Sequence, residues 1–475
     1  MSQLDTLAAR VRDDLARIAH PRMPWLQPHI GPDGEPALDV LVVGAGQSGL
    51  GIAIGLLRAH VPNILVVDRA RRDEEGPWLS YARMHTLRSP KDYTGPDLDL
   101  PSLGYQCWHE ARYGAAHWAA LDLITRQDWA AYLGWVRDTV GVPVQSETTV
   151  TDIAPAPGGL LAVTLNGIVR HTRKLVLATG QEGAGHWWMP PFVAALPTHL
   201  RAHTADPIDF AALRGKRVAV LGAGASAFDN AAMALEAGAA DVSLYCRRAE
   251  PQVIQPYRWL TFTGFLRHLS DLDDEWRWRF MSRILGLREG FPQPTYDRCA
   301  RHPAFHLRTG AAWTAARPSG DGVEIDTPIG TFTADFLICG TGVEMDFALR
   351  PELARIAADI ARWCDRYDPP EEERDDRLGR FPYLAQDYSF VPRCPGNADW
   401  ISDIHLFNIA STMSFGPSGS SINAMTTAVP KLVSGLTRGL FTGDLDRHWR
   451  TLCEYDVPQA IIRQAAGSPA LATPP

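Results

Sequence analysis

Two glycine-rich turns, each set between an apolar strand and a helix, constrain this chain more than any other feature. The first follows Leu38–Val43 (LDVLVV) and reads Gly44-Ala45-Gly46-Gln47-Ser48-Gly49, with a helix-forming run at 50–59. A second apolar run, 63–68 (NILVVD), completes a β-α-β unit. The pattern restarts 178 residues later: KRVAVL at 216–221, then Gly222-Ala223-Gly224-Ala225-Ser226-Ala227, a helical run at 228–237, and DVSLYC at 241–246. In such a turn each small residue has its own steric task. The first permits the tight bend, the second lets backbone approach a pyrophosphate, and the third, Gly or Ala, lets helix and strand close up. The pyrophosphate rests on the helix N-terminus, where free N–H groups and the helix dipole favour an anion.

The residue that ends the following strand separates the two turns. Asp68 lies 24 residues after Gly44, where an acid accepts hydrogen bonds from ribose hydroxyls. The second unit ends instead in Cys246-Arg247-Arg248. An acid there would repel a 2′-phosphate, whereas arginines hold it by charge-assisted bonds, so this turn reads as an NADP site. The bland alternative for Arg247 and Arg248 is a solvated surface pair.

A chain of 475 residues exceeds what one core usually fills, which agrees with two units. The expected fold class is α/β, with two Rossmann-like dinucleotide-binding domains. A net charge of −8 disfavours nucleic acid, which calls for a basic face. No apolar run approaches the roughly 18 residues of a membrane span. Leu4, Leu7, Val11, Leu15 and Ile18 recur at helical spacing near the N-terminus, and the segment lacks the apolar core of a signal peptide. The seven cysteines are scattered, as suits free thiols in a reducing cytoplasm. No close cysteine pair exists for dithiol chemistry, and residues 50–106 hold no cysteine at all. No metal-binding motif is present. A homodimer is left open.

Further motifs narrow the picture. The runs 174–180 (KLVLATG) and 335–342 (DFLICGTG) each end a strand in a small-Thr-Gly turn. With the two Gly-rich turns they resemble the NADPH- and FAD-dependent monooxygenases that carry both cofactors on one chain. That group includes flavin-containing monooxygenases, YUCCA-type enzymes, amine N-hydroxylases and Baeyer–Villiger enzymes. The resemblance covers about residues 38–435. It implies an FAD-binding domain at 1–198 and 325–475, with 1–36 a helical extension and linker. An NADPH-binding domain is then inserted at 199–324, itself carrying a helical, aromatic-rich segment at about 250–310. It implies FAD contacts at Gly44, Gly46, Gln47, Ser48, Gly49, Asp68, Arg69, Trp78, Thr179, Gly180, Gly342 and Ser420. It implies NADPH contacts at Gly222, Gly224, Ala225, Ser226, Ala227, Arg247 and Arg248.

The activity implied is oxygenation of a small organic molecule at nitrogen, sulfur or carbon. Hydride passes from NADPH to flavin, and O2 adds to give a C4a-(hydro)peroxyflavin. The alternative is an NAD(P)H-dependent flavin reductase or oxidase passing electrons to oxygen or a partner. Gly76-Pro77-Trp78, Tyr81 and Ser89-Pro90-Lys91 are similar to the stretch that runs past the flavin ring in this group. Arg88 stands where flavin-containing monooxygenases have an Asn. It is a candidate to sit beside the flavin, or else it binds a phosphate or a nearby acid. The Baeyer–Villiger fingerprint keeps only His203, with Pro197, His199 and Pro207 at its other fixed places. His203 either orders NADPH between the domains or is structural. The turn 415–421 (FGPSGSS) precedes a helix whose N-terminus either faces the flavin or is simply capped. Trp259, Phe262, Phe265, Trp276, Trp278, Phe280 and Phe291, with Trp187 and Trp188, line an apolar pocket or build a helical subdomain core.

Overall fold

The computed structural model describes residues 2–18, 23–419 and 421–461. The run Leu38–Val43 forms a strand whose four central residues are buried, the pattern of a strand covered on both faces. It is the middle of a parallel sheet. On one side lie Ile64–Val67 and then Val144–Gln145; on the other lie Ile168–Leu177 and then Ile404–Leu406. The ten-residue strand Ile168–Leu177 has two partners along its length. Its C-terminal half pairs in parallel with Leu38–Val43, and its N-terminal half pairs antiparallel with Leu160–Leu165. Val150–Ala156 continues that antiparallel extension. Helix Gln47–Arg58 packs on the late helix Met425–Gly443 at close range. A Cβ at Gly51 would lie 2.6 Å from Met425 Cε, and one at Gly55 would lie 2.8 Å from Val433 Cγ2. The N-terminal helix Gln3–Arg17 is closed by a Ser2–Asp5 capping box and buries Leu7 and Val11 against the same core.

The second sheet is wholly parallel, in the order Phe305–Arg308, Asp241–Tyr245, Arg217–Leu221, Phe336–Cys339, Arg201–His203. One strand departs from expectation. Phe336–Cys339, placed by sequence in the FAD unit beyond residue 324, is hydrogen-bonded inside the second sheet. The reason is packing: Leu337, Ile338 and Cys339 are fully buried, and the second sheet is where both faces are covered. The three-stranded antiparallel sheet of 315–319, 322–327 and 330–334 precedes this strand and packs on it through Val323 and Ile325. The chain crosses between units at two strands that pair antiparallel, Gly185–Trp187 and Val343–Met345.

The aromatic-rich segment is helical, with helices Pro256–Trp259, Thr263–His268, Asp274–Leu287 and Gln293–Ala300. Phe265, Trp278 and Met281 share a core with Trp363, Phe381 and Met413, so the insertion leans on the C-terminal part of the first unit. Its aromatics are mainly that core and its rim.

Candidate active site

Both glycine turns adopt the conformation their composition demands. Gly44 has φ +103° and Gly222 φ +116°, where a side chain is strained. A Cβ at Gly49 would stand 1.8 Å from the Gly44 carbonyl oxygen, so the third glycine is required for close packing. The middle glycines are different. A Cβ at Gly46 would find only Gly76 Cα, at 3.8 Å, and one at Gly224 would meet nothing within 4 Å. These two positions face open space, as a backbone that receives a ligand must. Helices Gln47–Arg58 and Ala225–Glu236 start at these glycines, with no side-chain cap and no acid in the first turn. Their leading N–H groups are free for an anion, so each turn fits a dinucleotide pyrophosphate.

One cleft of about 2590 Å³ joins the two turns, well above the roughly 300–1,000 Å³ of a common small-molecule pocket. Gly44, Gly46, Gln47, Ser48, Asp68, Arg69, Trp78, Arg88, Thr179 and Gly180 line it from the first unit. Ser226, Asp229 and Asn230 line it from the second. Asp68 accepts the Ala45 N–H at 2.7 Å and the Ala70 N–H at 2.8 Å, so the acid also holds the glycine turn in shape. Arg69 is paired with Glu182, which in turn lies 3.7 Å from Arg350. Trp78 is 8% exposed, and its Nε1 is a buried donor on the cleft wall with no partner among the described residues. Burial pushes the Tyr81 phenol, also on this wall, up to about 12, so it stays protonated.

Several expected residues lie elsewhere. Gly342 is beside the second turn, because the Gly340 carbonyl is what a Gly222 Cβ would strike, and Gly342 does not line the cleft. It follows strand Phe336–Cys339 of the second sheet, and its carbonyl accepts the Trp188 N–H at 3.0 Å. Ser420 lies outside the described residues. Its neighbours Pro417, Gly419 and Ser421 do reach the cleft, and a short 3-10 turn, Ile422–Ala424, leads into the helix at Met425. His203 is 1% exposed and stands behind the wall that Thr204 and Ala205 form. Burial holds it at about 4, hence neutral, and its Nδ1 accepts the Ala205 N–H at 3.1 Å. The ring sits 5.1 Å from that of Trp187, itself a cleft-wall residue.

Arg247 and Arg248 are exposed at the C-terminal end of Asp241–Tyr245. Arg248 donates to the carbonyls of Gly286 and Leu287 at 3.2 and 3.4 Å, at the end of helix Asp274–Leu287. Arg288 follows directly. Burial disfavours its charge, and so do the neighbouring charges of Arg377, Arg247 and Arg248. The charges of Arg247, Arg248 and Arg377 thus act on Arg288, opposed by Asp375, which pairs with Arg377 at 3.2 Å. Arg288 and Arg377 come from other segments, and no local pattern announces them.

Three comparisons bear on this geometry. Residues 41–263 match the family described as pyridine nucleotide-disulphide oxidoreductase. The chain is 39% identical to the FAD-dependent urate hydroxylase of Xanthomonas campestris pv. campestris, over 96% of this chain and 97% of that one. The chain belongs to the FAD- and NADPH-dependent monooxygenases. The fold is shared more widely. The reduced form of ornithine hydroxylase from Pseudomonas aeruginosa superposes with a TM-score of 0.65 at 17% identity, over 85% of this chain and 100% of that one. L-lysine 6-monooxygenase from Pseudomonas syringae gives 0.64 at 20% identity, over 85% and 99%.

All seven cysteines are free and none lines the cleft. Burial pushes the Cys299 and Cys339 thiols up to about 12, which leaves them inert. Bound FAD supplies the hydride acceptor and the oxygen-activating ring. Binding, orientation and exclusion of water fall to the cleft walls. Arg88 is one of the cations that the first unit places on this cleft wall, with Arg69, Arg83, Lys91 and Arg350. It donates to Asp229 of the second unit at 2.8 Å, so of the partners expected for it the structure shows an acid. Sequence inspection missed Asp229, Arg298 and Glu289. The one available signal was that Asp229 lies four residues after Ala225, on the same helix face as the turn. Among the described residues, no helix is long and apolar enough to cross a membrane.

Proposed function

We propose that this monooxygenase hydroxylates urate or a closely related oxopurine. One NADPH, one proton and one O2 would be consumed per turnover, releasing NADP+, water and the hydroxylated ring. The observation that carries this is the 39% identity, end to end, with a protein named a urate hydroxylase. Arg83, Arg258 and Arg301 line the cleft. Arg83 bonds only to the carbonyls of Ser80 and Asp206, Arg301 only to that of Asp297, and Arg258 to no side chain among the described residues. The lining carries eight carboxylates against eight Lys and Arg side chains, so the cleft as a whole has no positive excess, and it is these three individual guanidinium groups that can meet cofactor phosphates or a ring acid such as urate.

In this reading FAD rests on Gly44, Gly46, Gln47, Ser48 and Gly49, with Asp68 at its ribose and Arg69, Trp78, Thr179 and Gly180 around it. NADPH rests on Gly222, Gly224, Ala225, Ser226 and Ala227, with Arg247 and Arg248 at the 2′-phosphate. The paired crossings 185–187 and 343–345 then mark where the inserted NADPH domain leaves and rejoins the FAD domain. The scattered thiols suit the cytoplasm, and size-exclusion chromatography decides between monomer and homodimer.

The test uses purified yellow protein under air with NADPH and heavy-isotope O2. Urate is expected to accelerate NADPH oxidation and to leave as a product carrying one heavy oxygen. If NADPH is consumed at one rate with or without urate, and all its electrons appear as hydrogen peroxide, the substrate assignment is wrong.

A further inference from the structure

Asp229 sits in the second turn of helix Ala225–Glu236, close behind the uncapped N-terminus at Gly224, and its side chain is 3% exposed. Three groups converge on it. Thr295 Oγ1 donates to Oδ1 at 3.2 Å, Arg298 Nη1 to Oδ1 at 3.3 Å, and Arg88 Nη2 to Oδ2 at 2.8 Å. Thr295 and Arg298 belong to helix Gln293–Ala300 of the same unit, whereas Arg88 reaches over from the first unit.

A buried acid here is costly for a nucleotide enzyme. The start of the helix is where a phosphate is favoured, and a negative charge next to it opposes that unless it is neutralised. Arg298 does only part of the neutralising. It also clasps Glu236 through bonds of 2.9 and 3.0 Å and donates to the Arg83 carbonyl at 3.3 Å. Arg88 is committed differently. Its one side-chain hydrogen bond among the described residues is to Asp229, and the side chain is 35% exposed on the cleft wall. One end of the guanidinium is anchored, and its remaining donors are available to the cleft.

We infer that Asp229 is the positioning residue for Arg88, pinning that cation to the first helix of the NADPH unit so that it meets the cofactors only when the two units are in register. This rests on the cleft being the meeting place of FAD and NADPH. It explains why an acid is kept behind a phosphate site: the carboxylate serves the arginine and contributes nothing to dinucleotide affinity. Its ionisation matters. Burial pushes the Asp229 carboxyl above the usual carboxylate range, while Arg88 and Arg298 draw it back. The other titratable groups nearby are Glu236 and His85 behind Arg298, and Glu289, which feels the charge of Arg88. As pH falls through the raised value, Asp229 takes a proton and Arg88 loses its anchor.

The experiment compares Asp229→Asn, Asp229→Glu, Arg88→Gln, Arg88→Lys and the double variant Asp229→Asn/Arg88→Gln as FAD-loaded proteins. Two quantities are read: the anaerobic rate of flavin reduction by NADPH, and the NADP+ dissociation constant of the oxidised protein by calorimetry. Misplacing an orienting group costs about tenfold to a hundredfold in rate. Asp229→Asn and Arg88→Gln are each expected to slow reduction by at least about tenfold. The double variant is expected to be no slower than the slower single, and Asp229→Glu to recover most of the rate. NADP+ is expected to bind Asp229→Asn as tightly as the wild type or more tightly, since a negative charge has left the phosphate site. The wild-type rate should fall on the acid side of its pH profile, and that limb should vanish in Asp229→Asn. Should Asp229→Asn fail to fold, the Arg88 pair decides: Arg88→Lys keeps the acid limb and Arg88→Gln lacks it. Multiplicative losses in the double variant, or NADP+ affinity falling in step with rate, overturn the inference. If urate is not turned over but the coupling is present, the substrate assignment fails and the role of Asp229 stands. If urate is turned over without the coupling, only the role of Asp229 fails.

Discussion

A Cβ added at Gly44 would stand 2.4 Å from the Ala178 carbonyl oxygen, and one added at Gly222 would stand 2.4 Å from that of Gly340. The two turns therefore lean on equivalent neighbouring strands, Ile168–Leu177 and Phe336–Cys339, in the same way. They differ by the location of one methyl group. The first unit has Gly49 in its turn and Ala178 on the strand side. The second has Ala227 in its turn and Gly340 on the strand side, where an added Cβ would meet the Ala227 Cβ at 2.7 Å. They differ more consequentially at the end of the next strand, where Asp68 answers the first turn and an arginine cluster the second. The cradle is thus generic to dinucleotides. On the proposed assignment, the dinucleotide each cradle takes is set by charge at one neighbouring strand end.

The largest effect should come from breaking one cradle at a time. Gly44→Val is expected to yield colourless protein, because strain at positive φ adds to a clash with fixed backbone. Gly222→Val should stay yellow yet show no reduction of its flavin by NADPH. Flavin content per chain and anaerobic absorbance check both, and a colourless Gly222→Val would show that the turns are not independent.

A smaller change should sharpen the charge contrast. Each charge-assisted hydrogen bond contributes about 1.5–3 kcal/mol. Arg247→Ala with Arg248→Ala is therefore expected to weaken NADP+ by about tenfold to a hundredfold and NAD+ by less than about twofold. Calorimetric titration with both nucleotides reads this directly, and equal losses would remove the 2′-phosphate from the account. Arg288→Ala should shift the same ratio in the same direction.

The smallest test moves the single methyl. Gly340→Ala alone overpacks the contact with Ala227 and should cost about 1–3 kcal/mol, seen as a lowered melting temperature. Adding Ala227→Gly should restore most of it, because the pair then matches the arrangement of the first unit. Failure of the second change to rescue would mean the two turns do not pack alike.

Legibility of the fold followed the range of the signal. Strands and helices around both turns stood within a residue or a few of where periodicity put them, because a buried parallel strand is a short apolar run and a phosphate turn is a short glycine pattern. Phe336–Cys339 is legible as a strand, but its pairing inside the second sheet is not. Pairing partners are distant in sequence, and FLIC carries no mark of its neighbours. His203 shows the same limit. Its survival from a fingerprint suggests a role at the cofactor, whereas its 1% exposure behind Thr204 and Ala205 comes from packing that no local pattern shows. The aromatics of the insertion were ambiguous between pocket and core until Trp278 met Trp363, at 6.1 Å between ring centroids.

By itself the sequence determined the two cradles, the order of the units and the sign of charge at each strand end. Those are properties of contiguous residues, set by steric freedom at glycine and by the chemistry of the next few side chains. Only the tertiary structure decided what faces the cleft between them. Arg88, Asp229 and Arg298 are far apart along the chain and meet because two separately closed sheets bring a loop, a helix start and a later helix to one place. Ion pairing there depends on burial and distance, and neither is written in any local stretch of residues.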